Sequence, residues 1–180
     1  MEEKFLTDTC NFRDVAPIMM DLPYPPIRVT EKNPAYANLL SLDYCGSVSE
    51  LSAITQYINH ENRLSCDRCP IARTILGIAM AEMIHLQKLG QLIFLLGGTI
   101  DFNARHRDGK VQMWTPQSLK LGENVKQMLL VNIEGERAAI NQYRMHIRMI
   151  KDREIVAVLE RIIKDEEYHI MMLQALGKEL

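Results

Sequence analysis

The segment EMIHLQKLG, from Glu82 to Gly90, lies inside a long apolar stretch but contains a glutamate and a histidine three residues apart. The segment EEYHIMMLQALG, from Glu166 to Gly177, has the same Glu-x-x-His spacing in a second apolar stretch. Residues i and i+3 lie on one face of a helix, so each pair directs a carboxylate and an imidazole toward one point. The two motifs therefore predict two helices that share a buried polar site.

An internal repeat adds a second pair of helices to these motifs. ELSAITQYINH, which starts at Glu50, and ERAAINQYRMH, which starts at Glu136, are identical at six positions. The midpoint between Glu50 and Glu82 falls in SCDRC, a segment typical of a turn. The midpoint between Glu136 and Glu166 falls in KDRE, a second turn-forming segment. Each helical hairpin therefore brings its lone glutamate level with its Glu-x-x-His pair.

The fold class that this pattern predicts is all-α, a four-helix bundle of two hairpins joined by one long crossover. Asn33 and Pro34 are typical of a helix start, and the helical pattern continues to about residue 62, although CGS at 45–47 weakens it. The crossover is the polar stretch 99–120. The other predicted helices run from Pro70 to the glycines at 97 and 98, from about Leu121 to Ile150, and from the KDRE turn to the C-terminus.

The first 32 residues are predicted to form an extended N-terminal arm, and residues 33–180 the four-helix-bundle domain. Four prolines within residues 16–29, APIMMDLPYPPIRV, hold the arm extended. This arm is too apolar to float free in water. We therefore expect it to dock on a neighbouring subunit of a homodimer or a larger homo-oligomer.

Composition narrows the class of protein. A net charge of −2 argues against binding to nucleic acid or to a membrane surface. No uninterrupted apolar run reaches the roughly 18 residues of a membrane span, and the acidic start does not resemble a signal peptide. Four cysteines do not make a disulfide scaffold in a chain of 180 residues. These features predict a soluble cytoplasmic protein.

Two facing hairpins would place four glutamates and two histidines in one layer of the bundle. Four buried carboxylates cannot stay ionised without compensating charge, and two divalent cations would neutralise them. A carboxylate-rich set with one imidazole per metal suits iron or manganese better than zinc. The predicted ligands of two iron or two manganese ions are Glu50, Glu82, His85, Glu136, Glu166 and His169.

Several neighbouring residues admit two interpretations. Ser47 and Glu50 have the spacing of a capping box, which would make this glutamate a helix cap. Glu134 is an alternative to Glu136, although the repeat favours Glu136. The midhelix tyrosines Tyr57 and Tyr143 either hydrogen-bond ligand carboxylates across the bundle or pack in the core.

Other polar residues lie near the motifs or outside them. Asp165 either orients a ligand histidine from behind or is solvated. His60 and His146 lie about 15 Å along their helices from the glutamates, too far to be ligands. The pair Cys66-x-x-Cys69 is a redox pair, half of a metal site or an incidental turn.

The chain resembles the ferritin-like superfamily of dimetal-carboxylate proteins, which includes rubrerythrins, bacterioferritins and manganese catalases. The resemblance covers roughly residues 33–180 and rests on one Glu from each of two helices and Glu-x-x-His from each of the other two. DEEYH at 165–169 is similar to the fourth helix of bacterioferritins, and GERAAINQY at 135–143 to the third helix of rubrerythrins. Ala139 stands where rubrerythrins carry an extra glutamate ligand. The resemblance implies metal ligation by the six residues named above.

The resemblance also implies a function, a non-haem dimetal oxidoreductase that handles hydrogen peroxide or dioxygen and acts against oxidative stress. A rubrerythrin-like peroxidase without a rubredoxin iron site would need an external electron donor, whereas catalase-type disproportionation by two manganese ions needs none. Iron oxidation and storage is a further alternative, as is a structural or coat protein with a structural dimetal site. No catalytic residue is predicted beyond the metal ligands and their candidate neighbours.

Overall fold

The computed structural model describes residues 10–178, which form the predicted bundle of two helical hairpins. Helix α2 packs along α3 in the first hairpin, and α4 packs along α5 in the second. The hairpins face each other through contacts of α2 with α4 and of α3 with α5. The helices are α1 (Pro34–Cys45), α2 (Glu50–Leu64), α3 (Cys69–Leu95), α4 (Val125–Met149) and α5 (Arg153–Lys178).

The first bundle helix is broken, which corrects the prediction of one helix from Pro34 to about residue 62. Gly46 leaves the helix with an extended ψ of −171°, while its N–H still donates to the Leu42 carbonyl at 2.9 Å. A β-carbon at Gly46 would lie 2.5 Å from that carbonyl oxygen, so only glycine fits this exit. Ser49 then caps α2 by accepting from the Ser52 N–H. The break places Glu50 in the first turn of a new helix.

The crossover contains a small antiparallel ribbon that was not predicted. Strand β1 (Asn103–Arg105) pairs with β2 (Val111–Met113). The turn between them uses Gly109 at φ +85°, a left-handed conformation that favours glycine. After the ribbon, the Trp114 indole N–H donates to the Ser52 hydroxyl at 2.9 Å. The crossover is thereby attached to the helix that carries Glu50.

Helix α3 has the length and apolarity of a membrane span, with a mean hydropathy of 1.3 over 18 residues. This finding differs from the expectation that no apolar run is long enough, because α3 is apolar on average although charged residues such as Glu82 and Lys88 interrupt it. The same helix is the core helix of the bundle, and its Ile75, Ile78 and Leu89 are fully buried. It also carries buried Glu82 and His85, which hydrocarbon could not satisfy.

The described part of the arm, residues 10–32, docks on its own bundle, not on a neighbouring subunit as expected. The Ile18 N–H donates to the Gly77 carbonyl of α3 at 2.9 Å. Arg28 pairs with Glu154 of α5 at 2.6 Å. The arm's apolar character is therefore no argument for an oligomer. The boundary between an arm at 1–32 and a bundle domain at 33–180 stays a prediction.

One disulfide joins the arm to the bundle. Cys10 is bonded to Cys69 at the start of α3. Cys66 is a free, exposed thiol and Cys45 a free, buried one. Cys66 and Cys69 therefore do not form a Cys-x-x-Cys redox pair in this structure. The sequence assigned no role to Cys10 because it belongs to no motif.

Candidate metal centre

The six predicted ligands lie in one buried layer at the centre of the bundle. None of them is more than 4% exposed. They form two overlapping groups, and within each group one potential ligand atom per residue lies within 4.8 Å of the others. Glu82 and Glu166 belong to both groups, which is the arrangement expected of two carboxylates that bridge two ions. The first group adds Glu50 and His85, and the second adds Glu136 and His169.

Both imidazoles present Nδ1 to the carboxylates. His85 Nδ1 lies 2.8 Å from Glu82 Oε2 and 3.3 Å from Glu166 Oε1. His169 Nδ1 lies 3.0 Å from Glu166 Oε2 and 3.1 Å from Glu82 Oε1. The two halves of the site are therefore nearly equivalent, as the internal repeat predicts. In each half the atom available to a metal is Nδ1.

The opposite ring nitrogens point away from the carboxylate layer and donate hydrogen bonds. His85 Nε2 lies 3.2 Å from Asp165 Oδ2 and His169 Nε2 lies 2.8 Å from the Ile18 carbonyl oxygen. A carbonyl or an ionised carboxylate only accepts, so Nε2 carries the proton in both rings. This tautomer leaves Nδ1 free as a ligand. Asp165 is fully buried, so the alternative that it is solvated does not hold.

Two tyrosines connect the two hairpins, because each donates a hydrogen bond to a glutamate on the facing helix. The hydroxyl of Tyr57, on α2, donates to Glu136 of α4. The hydroxyl of Tyr143, on α4, donates to Glu50 of α2. Burial, followed by the neighbouring carboxylate, raises the pKa of each phenol well above its ordinary value. Both hydroxyls therefore keep their protons and act as fixed donors to Glu136 and Glu50.

The remaining alternatives are resolved by position. Glu134 is an exposed residue paired with Lys120 at 3.3 Å, and it lies outside both groups. Ser49, and not Ser47, caps α2, so Glu50 does not serve in the Ser47 capping box. His60 and His146 are buried in the bundle but belong to neither group of potential ligands.

The carboxylates have divergent pKa values without metal. Burial raises the pKa of Glu82 well above its ordinary value, and the charges of Glu166 and Glu136 raise it further. Burial and the Glu166 charge raise the pKa of Glu136 to about 7. For Glu166 burial acts in the same direction, but the charges and hydrogen bonds of His85 and His169 outweigh it and lower the pKa.

Burial and the neighbouring carboxylates have opposing effects on the pKa values of the two histidines. Burial alone would lower the pKa of His85, but the charges of Glu166 and Glu82 raise it well above 6.5. The pKa of His169 is raised in the same way, with Glu82 as the main cause that opposes burial. In the absence of metal, protons held within the layer therefore offset part of the charge of its carboxylates.

The donor set fits two iron or manganese ions. Glu82 Oε1 and Glu166 Oε1 are buried and accept no hydrogen bond from residues 10–178. Bound cations would satisfy both oxygens, which each lie against the Nδ1 atom of a histidine. Four carboxylates also balance the charge of two divalent ions. A set of four oxygen-donating residues and two imidazoles is typical of iron or manganese.

A small cavity of about 130 Å³ leads to the site between α2 and α4. Its walls include the carboxylates of the layer together with Gln56 and Asn132. Gln56 Nε2 donates to Asn132 Oδ1 at 3.0 Å, and Asn132 Nδ2 is buried with no partner among residues 10–178. A larger apolar groove of about 660 Å³ lies elsewhere, beside Phe94 on α3, and none of the six ligands lines it.

Sequence reasoning missed four contributors to the site: the Ile18 carbonyl, Tyr24, Arg161 and Asn132. The first acts through its backbone, which carries no signal in a sequence. Tyr24 reaches the site by donating to Asp165 across 141 positions, which no local pattern encodes. Arg161 pairs with Asp165 at the i,i+4 spacing, a local signal on a helix. Asn132 has a weak signal, because it lies one helical turn before Glu136.

The bundle and its layer of four glutamates and two histidines define a dimetal-carboxylate protein of the ferritin-like superfamily. Residues 46–177 match the family model described as rubrerythrin. The chain therefore belongs to the rubrerythrin family, and the predicted superfamily is confirmed.

The proteins similar to this chain include manganese catalases and a bacterioferritin. A probable manganese catalase of Clostridium acetobutylicum is 25% identical over 171 residues, covering 84% of this chain and 75% of its own length. The crystal structure of a manganese catalase from Anabaena aligns with a TM-score of 0.78 and 24% identity, over 88% of this chain and 78% of its own. A bacterioferritin from Mycobacterium tuberculosis aligns with a TM-score of 0.68 and 24% identity, over 83% of this chain and 88% of its own.

Proposed function

We propose that this protein is a dimetal oxidoreductase that disproportionates hydrogen peroxide, converting two molecules to two of water and one of dioxygen. In this proposal Glu50, Glu82, His85, Glu136, Glu166 and His169 hold two manganese ions, or two iron ions. The probable manganese catalase among the similar proteins supports this choice over a donor-dependent peroxidase. The absence of the extra glutamate of rubrerythrins at Ala139 supports it as well.

The observation that carries the proposal is the enclosure of the site. All six residues are buried. The cavity that reaches the four glutamates holds only about 130 Å³, room for a few molecules the size of water. Its lining is polar enough to hydrogen-bond peroxide, with Gln56 and Asn132 on opposite helices. A large substrate is excluded by this size.

Disproportionation suits an enclosed site because it needs nothing from outside except peroxide. One peroxide loses two electrons and two protons and becomes dioxygen. A second peroxide accepts two electrons and two protons, its O–O bond breaks, and two waters form. The two half-reactions balance, so neither an external reductant nor a net supply of protons is required. A donor-dependent peroxidase would need both an external reductant and a net supply of protons to reach the buried layer.

Bound metal ions would supply the reversible two-electron chemistry, and the residues of the chain would define where it happens. Glu82 and Glu166 would help to hold both ions, since each belongs to both groups of potential ligands. Tyr57 and Tyr143 restrain the non-bridging glutamates through their hydroxyl protons. Asn132 lines the cavity, and its Nδ2 has no partner among residues 10–178, so in this proposal its amide orients an incoming peroxide.

The proposal predicts two metal ions per chain and release of dioxygen from peroxide without any added reductant. Elemental analysis of natively purified protein and an oxygen electrode test this together, with chelated protein as the control. Turnover only with a reductant would indicate a rubrerythrin-like peroxidase. Hundreds of iron atoms per assembly, in a shell sized by light scattering, would indicate iron storage. Bound metal without turnover would indicate a structural or coat role.

We also propose a homodimer or larger homo-oligomer, while a soluble, cytoplasmic protein stays a prediction from composition. The support is the apolar surface of α3 and the segment that follows it, where Phe94, Ile100 and Phe102 are about half exposed or more. A second copy of the chain would cover such a surface. The light-scattering mass in the experiment above also decides this point, because a monomeric mass would contradict it.

A further inference from the structure

We propose that the arm segment from Ile18 to Tyr24 positions both metal-binding imidazoles and so sets how firmly the site retains its ions. This inference rests on the proposed dimetal site and extends it to a part of the chain outside the bundle. Each histidine presents Nδ1 to the carboxylate layer and Nε2 to a group that the arm provides or fixes. The arm thus closes the side of the site opposite to the cavity between α2 and α4.

On the first side the arm contacts His169 directly. The Ile18 carbonyl accepts from Nε2 at 2.8 Å, and the N–H of the same residue donates to the Gly77 carbonyl at 2.9 Å. Ile18 is therefore held between α3 and α5 by its own backbone. The approach is close because Gly77 has no β-carbon, and one built there would lie 2.8 Å from Ile18 Cγ1 and 3.0 Å from the Ala16 carbonyl oxygen.

On the second side the arm contacts His85 through Asp165. One carboxylate oxygen, Oδ2, accepts from His85 Nε2 at 3.2 Å and from the Tyr24 hydroxyl at 2.7 Å. The other, Oδ1, accepts from the Met20 N–H at 2.7 Å and pairs with Arg161 at 2.6 Å. Two of the four groups that hold this carboxylate thus come from the arm.

Arg161 fixes the arm as well as Asp165. Its Nη2 donates to the carbonyls of Met20 at 2.8 Å and Leu22 at 2.9 Å. Its guanidinium carbon also lies 4.4 Å from the centre of the Tyr24 ring, a cation–π contact. Further along, Arg28 and Thr30 bond to acidic residues at the start of α5. At the other end, the Cys10–Cys69 disulfide attaches the arm to α3.

The contacts with the arm fix the orientation of the His85 and His169 rings. A ring that loses its Nε2 partner can rotate or change tautomer, and its Nδ1 then no longer faces the layer. Outer contacts of this kind change metal affinity by about 10–100-fold in other sites. We therefore expect displacement of the arm to release metal faster while the six ligands remain in the chain.

Gly77→Ala tests this without touching a ligand, because the added methyl group displaces Ile18 and Ala16. The matched control is Gly177→Ala, whose β-carbon meets nothing within 4 Å. Alanine favours a helix over glycine, so neither change weakens its helix by propensity. We expect metal-loaded Gly77→Ala to lose manganese to a chelator roughly tenfold faster than wild type, and Gly177→Ala to match wild type. Equal rates in all three proteins would overturn the inference.

A spectroscopic readout separates positioning from general loosening. In cobalt-substituted protein, the imidazole N–H protons give shifted proton resonances that exchange with water. We expect two slowly exchanging signals in wild type, and fast exchange of the His169 signal in Gly77→Ala. Tyr24→Phe, a milder second variant, should speed exchange of the His85 signal alone. Unchanged exchange in both variants would contradict the arm's role. A wild type that binds no metal would instead contradict the dimetal site.

Discussion

Glu82→Gln is expected to abolish peroxide turnover and to remove metal from both positions of the site. Glu82 belongs to both groups of potential ligands, so its loss weakens each half, whereas loss of Glu50 would weaken one. An amide carries no negative charge and leaves the layer with too little charge to balance two divalent ions. We expect metal affinity to fall by at least about 100-fold, more than for an outer-contact change.

The matched control is Glu134→Gln, which lies outside the layer and is exposed. Elemental analysis after gel filtration should give two ions per chain for wild type and for the control. It should give fewer than one for Glu82→Gln. Full occupancy in Glu82→Gln would show that this carboxylate does not bridge the two positions.

Without metal, the protein is expected to be most stable near pH 5 and to lose stability as the pH rises toward 9. The pKa of Glu136 is raised to about 7 from an ordinary 4.5, so its stabilising effect is present below pH 4.5 and lost through about pH 7. The pKa values of His85 and His169 are raised above 6.5. Their contribution is complete below that value and is lost at higher pH.

Two other carboxylates act in the opposite direction in acid. The pKa of Glu166 is lowered below 4.5, and that of Asp165 is lowered from 3.8 to about 2. For Asp165, burial is opposed and outweighed by hydrogen bonds from His85, Arg161 and Tyr24. The contributions of Glu166 and Asp165 to the stability of the fold are complete above their ordinary pKa values of 4.5 and 3.8, and they are lost as the pH falls through the lowered values. The combined curve therefore has its maximum in mild acid.

Substitutions of the two bridging candidates should shift metal-free stability with opposite signs. Glu82→Gln removes a carboxylate whose ionised form is disfavoured, and should stabilise the metal-free protein at pH 8 by roughly 1 kcal/mol. Glu166→Gln removes an anion that is stabilised by both histidines, and should destabilise the metal-free protein at pH 6 by about 3 kcal/mol. Denaturant unfolding of chelated proteins measures both. Shifts of the same sign would show that the two glutamates have equivalent surroundings.

Bound metal should reverse the dependence on pH. Cations favour ionised carboxylates, so the loaded protein loses stability in acid, where protons displace the ions. Thermal melts at pH 5 and pH 8, with and without chelator, check this reversal. A chelated protein that is no less stable at pH 8 than at pH 5 would contradict the raised pKa values of the layer.

The sequence was sufficient to predict the layer itself. Glu-x-x-His occurs at Glu82 and at Glu166, and the repeat supplies Glu50 and Glu136 at matched depth. These motifs are local in the sequence, and helical geometry places residues three or four positions apart on the same face. The hairpin pairing follows from the two turns. For this reason the bundle and the convergence of the six side chains could be expected before any coordinates.

Other features depend on contacts that no local pattern encodes. The sequence at Gly46 indicated only a weakened helical pattern and not a break. The reason for the break is that a β-carbon at this position would collide with the Leu42 carbonyl oxygen, a contact that only the folded structure reveals. The ribbon had a signal in Asp108-Gly109, a dipeptide typical of a hairpin turn, but its strands are only three residues long. Docking of the arm through Ile18 uses backbone atoms, which are the same in every residue.

The central claim is that six side chains from four helices hold two metal ions. Anomalous diffraction at the manganese and iron absorption edges, from crystals of natively purified protein, tests it most directly. We expect two peaks about 3.5–4 Å apart, with Glu82 and Glu166 between them, His85 and Glu50 on one peak, and His169 and Glu136 on the other. A single peak, or peaks outside this layer, would contradict the dimetal site.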